Sequence, residues 1–221
     1  GATTMRGALA VWAVTLGKHS GQGEVVVGIP YANREHPSLH GVVGYFVNTL
    51  AIRVFVGGEL SFREVLVQTN SAMVDAVSHV MVPFMRVVEA VCPDRDASRT
   101  PVFQTMLAWE DVGGWLGSGG GVELSMLESV DDVVVLSDLD DGADGGDCGG
   151  FGTSKFELDL SLSDGEDGRM VGSLGFNSDL YERRSVERIA EHMSILTAGV
   201  VGCLDGQLCD VGVMSRSEAC V

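Results

Sequence analysis

A chain of 221 residues, 45 % of them apolar, has room for one large domain or two small ones and can bury a sizeable core. The formal charge is −17, and eight of the acidic residues lie between Glu128 and Asp147, in a stretch without Lys or Arg. Such a surface repels phosphate backbones and anionic lipid, so neither nucleic acid nor a membrane is expected as a partner.

The first element in chain order is a helix over Thr3–Lys18, where Met5, Leu9, Trp12 and Leu16 recur at helical spacing. This apolar run follows Arg6 and superficially resembles a signal peptide, but its periodicity is that of a core helix and it is too short to span a bilayer. His19–Gly23 reads as a turn, and Glu24–Ile29, with Val25, Val26 and Val27 in succession, as a strand buried on both faces. A loop through Pro30, Pro37 and Gly41 leads to a second strand over Phe46–Val56. Ser61 and Glu64 form a capping box ahead of a helix that presents Phe62, Val65, Leu66, Thr69, Met73, Ala76 and Val77 on one face and ends near His79. Pro83 suits the first turn of a short helix that runs to Val91.

Val102–Trp109 reads as the next strand. Gly113–Gly121, with six glycines in nine residues, is a loop, and Val122–Leu127 and Val133–Leu136 are weaker strands. The Asp- and Gly-rich segment 137–152 buries too little apolar surface to offset its ordering entropy and is expected to be disordered. Phe156, Leu158, Leu160 and Leu162 alternate with polar residues as in a half-buried strand; an acidic turn at Asp164–Gly168 leads to its antiparallel partner over Arg169–Asn177. The last helix begins near Ser185, with Val186, Ile189, Met193, Leu196 and Val200 on one face. The class is therefore α/β with a mixed sheet flanked by helices and a hairpin late in the chain.

Residue chemistry alone exposes no catalytic set. His36 and His40 are four apart, but Pro37 stands between them and Glu35 precedes them, so they are not a helical zinc motif. Asp138–Asp147 lacks the spacing and the closing Glu of a calcium loop. Gly117–Gly121 is not followed by Lys and Ser or Thr, and there is no GxSxG. The five cysteines, Cys92, Cys148, Cys203, Cys209 and Cys220, form no CxxC pair, which fits a reduced, cytoplasmic setting. Cys203, Cys209 and Cys220 belong to a C-terminal tail rather than a metal cluster.

Three stretches carry more. Val43-Gly44-Tyr45-Phe46-Val47-Asn48-Thr49-Leu50-Ala51-Ile52-Arg53 resembles the fifth core motif of the condensation domains of non-ribosomal peptide synthetases, (V/I)GxFVNT(L/Q)xxR. His79-Val80-Met81-Val82-Pro83-Phe84 resembles the sixth, HQDxPF, with Val80 and Met81 in place of Gln-Asp. Arg95 to Gln104 resembles the seventh, RDxSRNPLFQ, with Thr100 in place of Asn. Weaker matches lie at Gly21–Arg34, Ser154–Leu158 and Phe176–Tyr181, and Met214-Ser215 is similar to the stretch that closes the domain ahead of an adenylation domain. The matches keep the family's order and cover nearly the whole chain outside the acidic insert.

The resemblance implies a chloramphenicol-acetyltransferase-like lobe. In the family two such lobes surround a tunnel in which a carrier-bound amine attacks a carrier-bound acyl thioester to form an amide. The family's HHxxxDG motif lies in the N-terminal lobe, and its second His acts on the amine, a role suited to imidazole. Here the histidines are at 19, 36, 40, 79 and 192, no two adjacent. The chain is thus expected to be a C-terminal lobe (1–202) with a tail or linker (203–221), to begin at Gly1 as a fragment, and to carry no catalytic or metal-binding residue of its own. By the same resemblance Arg34 pairs with the motif's aspartate between lobes, its fork matching a carboxylate. Asn48 and Thr49 lie near the tunnel, His79 opens the sixth motif and Arg99 is structural. For Arg34 the competing reading is a surface arginine at a strand end, and for Asn48 and Thr49 a strand-start hydrogen bond. No cofactor is bound directly; substrates arrive on the phosphopantetheine of carrier proteins. The implied partners are the N-terminal lobe, peptidyl or acyl carrier proteins and a following adenylation domain. A rival reading is a non-catalytic module that binds carrier protein or an acyl chain.

Overall fold

The computed structural model describes residues 3–92, 99–110, 133–135, 156–164 and 170–213. The loop at 113–121, the strand at 122–127, the acidic insert at 137–152 and most of the turn at 164–168 lie outside these residues. The chain divides into two compact units, one of residues 1–106 and 192–221, the other of residues 107–191.

In the first unit, α1 (Thr4–Ser20) is buried all round from Ala8 to Thr15, as suits a helix with no charged residue in that span. It ends at Gly21, whose φ of 69° is the left-handed conformation that glycine adopts without a Cβ penalty. β1 (Glu24–Tyr31) pairs antiparallel with β2 (Asn48–Phe55) and parallel with the start of β3 (Thr105–Glu110), so the sheet is mixed. Val25, Val27 and Ile29 stand opposite Val54, Ile52 and Leu50 and are buried on one face. Each such side chain contributes about 1.5–3 kcal/mol by leaving water. The other face differs from the expectation of a strand buried on both sides: Val26 is half-buried, and Arg53 pairs with Glu24 at 2.5 Å while lying over the Phe55 ring.

β2 begins at Asn48 rather than Phe46. The capping box forms as expected: Ser61 Oγ accepts from the Glu64 amide, and Glu64 accepts from the Ser61 amide at 2.8 Å. Those bonds from Ser61 hold the Glu64 carboxyl below its ordinary range. α2 (Phe62–Ser78) buries Phe62, Val65, Thr69 and Met73 and packs on β2 and α1, where Arg6 donates to Asn70. α3 (Phe84–Val91) starts one residue after Pro83, which serves as its N-cap.

β3 starts three residues later than the pattern suggested. Val102 adopts φ 72° in a tight turn closed by the Phe103 amide on the Pro101 carbonyl, a strained conformation for a β-branched residue. The turn delivers Phe103 over Gly28, where a Cβ would come within 2.3 Å of the ring, and against Phe84 with centroids 5.3 Å apart. It also lets Thr105 accept from the Trp12 indole at 3.1 Å, deep in the core.

Residues 203–213, expected as tail or linker, are packed into the first unit. Leu208 is buried, its amide donates to Leu60, and the Cys209 amide donates to Gly58. Lys18 donates to the Leu208 and Val211 carbonyls at 2.6 and 2.9 Å, and Arg63 pairs with Asp205.

In the second unit, β5 (Leu158–Asp164) and β6 (Met170–Phe176) form the expected antiparallel hairpin, with Leu158 opposite Phe176 and Leu160 opposite Leu174. β4 (Val133–Val135) pairs with the other edge of β6. The last helix, α4 (Arg183–Gly202), begins two residues earlier than expected and passes from the second unit into the first. Val186, Ile189, Met193, Leu196 and Val200 are all buried along it. Among the described residues no helix is long and apolar enough to cross a membrane.

Candidate functional site

The residues singled out from the sequence all fall in the first unit. Asn48 is the centre of the arrangement. Its Nδ2 donates to the carbonyls of Val80 and Val82 at 2.7 and 2.8 Å, and its Oδ1 accepts from the amides of Phe84 and Thr49 at 3.2 and 2.9 Å. Both donors and both acceptors of the amide are thereby matched. The start of β2 is tied to the turn between α2 and α3 and to the first amide of α3. The fifth and sixth motif segments, 32 residues apart at their hydrogen-bonded ends, meet at this one side chain. Thr49 pairs with Pro30 of β1 and is half-buried.

His79 caps the C-terminus of α2. Its amide bonds to Ala76 and Val77, and its Nδ1 lies 2.8 Å from the Asp75 carbonyl and 2.9 Å from Ser78 Oγ. The ring is folded back on its own helix and exposed to solvent. The amide contacts that the sixth motif makes to Asn48 come from Val80, Val82 and Phe84 backbone atoms, so the side chains that replace Gln-Asp do not alter them.

Arg34 holds the loop that leads to the site. Nη1 donates to the carbonyls of Leu39 and Val42 at 2.6 and 2.7 Å, Nη2 donates to Gly44 at 3.0 Å, and the guanidinium lies 4.4 Å from the Phe46 ring centre. The planar fork suits this task because it reaches several carbonyls at once while its face stacks on an aromatic ring. The loop so held presents Val43 and Tyr45 almost wholly to solvent. Met81, Val82 and Met85, on the turn and helix that Asn48 anchors, are exposed as well.

Arg99 is exposed, one residue before Thr100, whose hydroxyl donates to the Phe103 carbonyl at 2.6 Å. Gln104 donates back to the Thr100 carbonyl, so this stretch fixes its own turn. Sequence reasoning missed the Phe46 stack, the fit of Gly28 to Phe103, and a contact between His19 and His192. The first was legible as an aromatic residue inside the matched motif. The other two join residues 75 and 173 positions apart and leave no local pattern.

Chemically, this arrangement braces backbone: Asn48 spends its whole amide, and Arg34 three of its five N–H groups, on main-chain atoms, and the loop and turn they hold display apolar side chains outward. An α/β domain built around these motif segments has a known setting. The sequence model of the Condensation domain matches residues 1–219, and the chain belongs to the condensation-domain family. It is 36 % identical over 188 residues to malpinin synthetase of Mortierella alpina, a match that covers 85 % of the chain. It is 31 % identical over 218 residues to tyrocidine synthase 3 of Brevibacillus parabrevis, covering 99 % of the chain. The chain spans only 2 % and 3 % of the length of these curated relatives.

Among solved structures, holo-AB3403, a four-domain nonribosomal peptide synthetase bound to AMP and glycine, superposes with a TM-score of 0.79 at 24 % identity. That match covers 99 % of this chain and 16 % of the other. The X-domain from teicoplanin biosynthesis superposes with a TM-score of 0.76 at 20 % identity, covering 97 % of this chain and 45 % of that one. At these identities the likeness concerns the fold.

Proposed function

We propose that these residues form the C-terminal lobe of a peptide-synthetase condensation domain, whose whole forms an amide between a carrier-bound acyl donor and a carrier-bound amine. The observation that carries the proposal is the meeting of the fifth and sixth motif segments at Asn48 in a chain whose five histidines are all isolated in sequence. Two further facts support it. The chain spans 45 % of the teicoplanin X-domain chain and 42 % of the first condensation domain of the CDA synthetase, as one of two lobes would. Val43, Tyr45 and Met81 present apolar surface of the kind that an interface covers.

On this reading the imidazole that handles the amine proton comes from the other lobe. The residues here shape and brace the chamber, with Arg34 available to a carboxylate of the partner lobe, and Asn48 and Thr49 on the tunnel side. Substrates arrive on the phosphopantetheine of carrier proteins, an adenylation domain follows, and the setting is cytoplasmic. The test is to incubate the isolated chain with loaded donor and acceptor carrier proteins and look for dipeptidyl thioester by mass spectrometry. No product is expected, and product would overturn the proposal.

A second reading, a docking module without catalysis, draws on one observation. The X-domain likeness extends to a structure of the X-domain in complex with OxyB, with a TM-score of 0.73. Stable capture of carrier protein by the isolated chain, again without product, favours this reading over the lobe.

A further inference from the structure

The last described residues, 203–213, lie on the first unit as a strap in two halves. The first half runs antiparallel to residues 58–63, with Gln207 opposite Ser61. Its backbone is tied there three times. The Arg63 amide donates to the Leu204 carbonyl at 3.0 Å, the Leu208 amide to the Leu60 carbonyl at 2.8 Å and the Cys209 amide to the Gly58 carbonyl at 2.9 Å. Leu208 is buried, and Arg63 adds an exposed ion pair with Asp205.

The second half, 210–213, has no backbone hydrogen bond to the rest of the unit among the described residues. The amides of Asp210 and Val211 turn back to Gln207 and Leu208 within the strap. One side chain ties this half down. Lys18, in the last turn of α1, donates from Nζ to the Leu208 carbonyl at 2.6 Å and to the Val211 carbonyl at 2.9 Å, one bond in each half. The Val211 side chain rests near Gly199 of α4, where an added Cβ would lie 3.1 Å from its Cγ1.

The hold on 210–213 is marginal. Burial holds the Lys18 ammonium below its ordinary pKa, with nearby Cys209 acting in the opposite direction. The cation therefore keeps its seat against a desolvation cost, which the two carbonyls and the negative C-terminal end of α1 offset. Asp210 and Gly212 are exposed and Val211 and Val213 only half-buried, so little apolar area opposes release.

We infer that residues 210–213 are a latch governed by Lys18. Closed, it fixes the direction in which the backbone leaves the first unit at Val213. Open, it turns 210–213 into a loose tether while 204–209 stay in place. The inference is independent of the condensation reading.

The test is 15N relaxation of the backbone amides of the full chain, with the lysine Nζ resonances followed alongside. Of the 14 Lys and Arg residues only Lys18 and Lys155 are lysines, so the Lys18 ammonium is assigned by its loss in Lys18→Met. In the wild type the order parameters of 210–213 match those of 204–209, at about 0.85. Lys18→Met lowers those of 210–213 below about 0.6 and leaves 204–209 unchanged. Arg63→Ala removes the pair with Asp205 but not the latch, and 210–213 stay ordered. Low order parameters at 210–213 in the wild type, or order retained there in Lys18→Met, would overturn the inference. So would a loss spread evenly over 204–213 or over the whole unit, or an equal loosening of 210–213 in Arg63→Ala, since the strap would then have no separate latch.

Discussion

Replacing Asn48 by alanine removes four hydrogen bonds at once, and the geometry sets the size of the loss. Three of them are part-buried: those to the Val80 carbonyl and from the amides of Thr49 and Phe84. The fourth, to the Val82 carbonyl, is exposed, so water replaces it at little cost. A typical neutral bond contributes about 1 kcal/mol net, and a part-buried group left unpaired costs about 1–3 kcal/mol, so the three together put the loss at roughly 2–4 kcal/mol. With a urea slope of about 2 kcal/mol per molar, the unfolding midpoint falls by about 1–2 M. Asn48→Asp provides the control. A carboxylate still accepts from Thr49 and Phe84, but it sets an oxygen against the carbonyls of Val80 and Val82 where the amide donated at 2.7 and 2.8 Å. Aspartate is therefore more damaging than alanine at neutral pH, although it keeps more atoms. Urea unfolding followed by circular dichroism measures both variants. A loss under about 0.5 kcal/mol for alanine, or an aspartate variant more stable than the alanine one, refutes the assignment of Asn48 as the tie between the two segments.

Gly28→Ala places a methyl group 2.3 Å from the Phe103 ring and is expected to cost roughly 1–3 kcal/mol by overpacking; chemical denaturation measures it, and Phe103→Leu in the same chain should relieve part of the loss. Tyr181 has its pKa raised above 10.0 by burial and by the nearby Glu157 carboxylate. The unfolded state therefore loses the phenolic proton first, the folded state binds more protons above that pH, and stability falls as the pH rises through the folded value. Tyr181→Phe should lose less stability than wild type in the alkaline range, and identical urea midpoints above about pH 10 would contradict this. The isolated chain is expected to self-associate through exposed apolar side chains; size-exclusion chromatography should show this, with Val43→Asp/Tyr45→Ser reducing it.

Periodicity makes most of the elements legible in the amino-acid order. The Ser61–Glu64 box, the Leu158–Leu162 alternation and the helical row from Val186 to Val200 are local patterns, and the backbone follows them. Boundaries moved by a few residues: β2 starts at Asn48, and the turn at Val102 delayed β3. The motif segments were legible as a series, and with them the family.

What those residues do could not be read from their spacing, since a hydrogen bond between Asn48 and Val80 depends on how β2 and the turn after α2 are brought together. The same holds for Arg34, whose partners are carbonyls of its own loop, and for His19 and His192. Composition and periodicity report what each residue gains from its chain neighbours and from leaving water, so the amino-acid order by itself determined class, elements and family. Directional contacts between distant residues exist only once the elements have packed, and so tertiary structure alone decided that the motif side chains brace backbone and that two isolated imidazoles share one place.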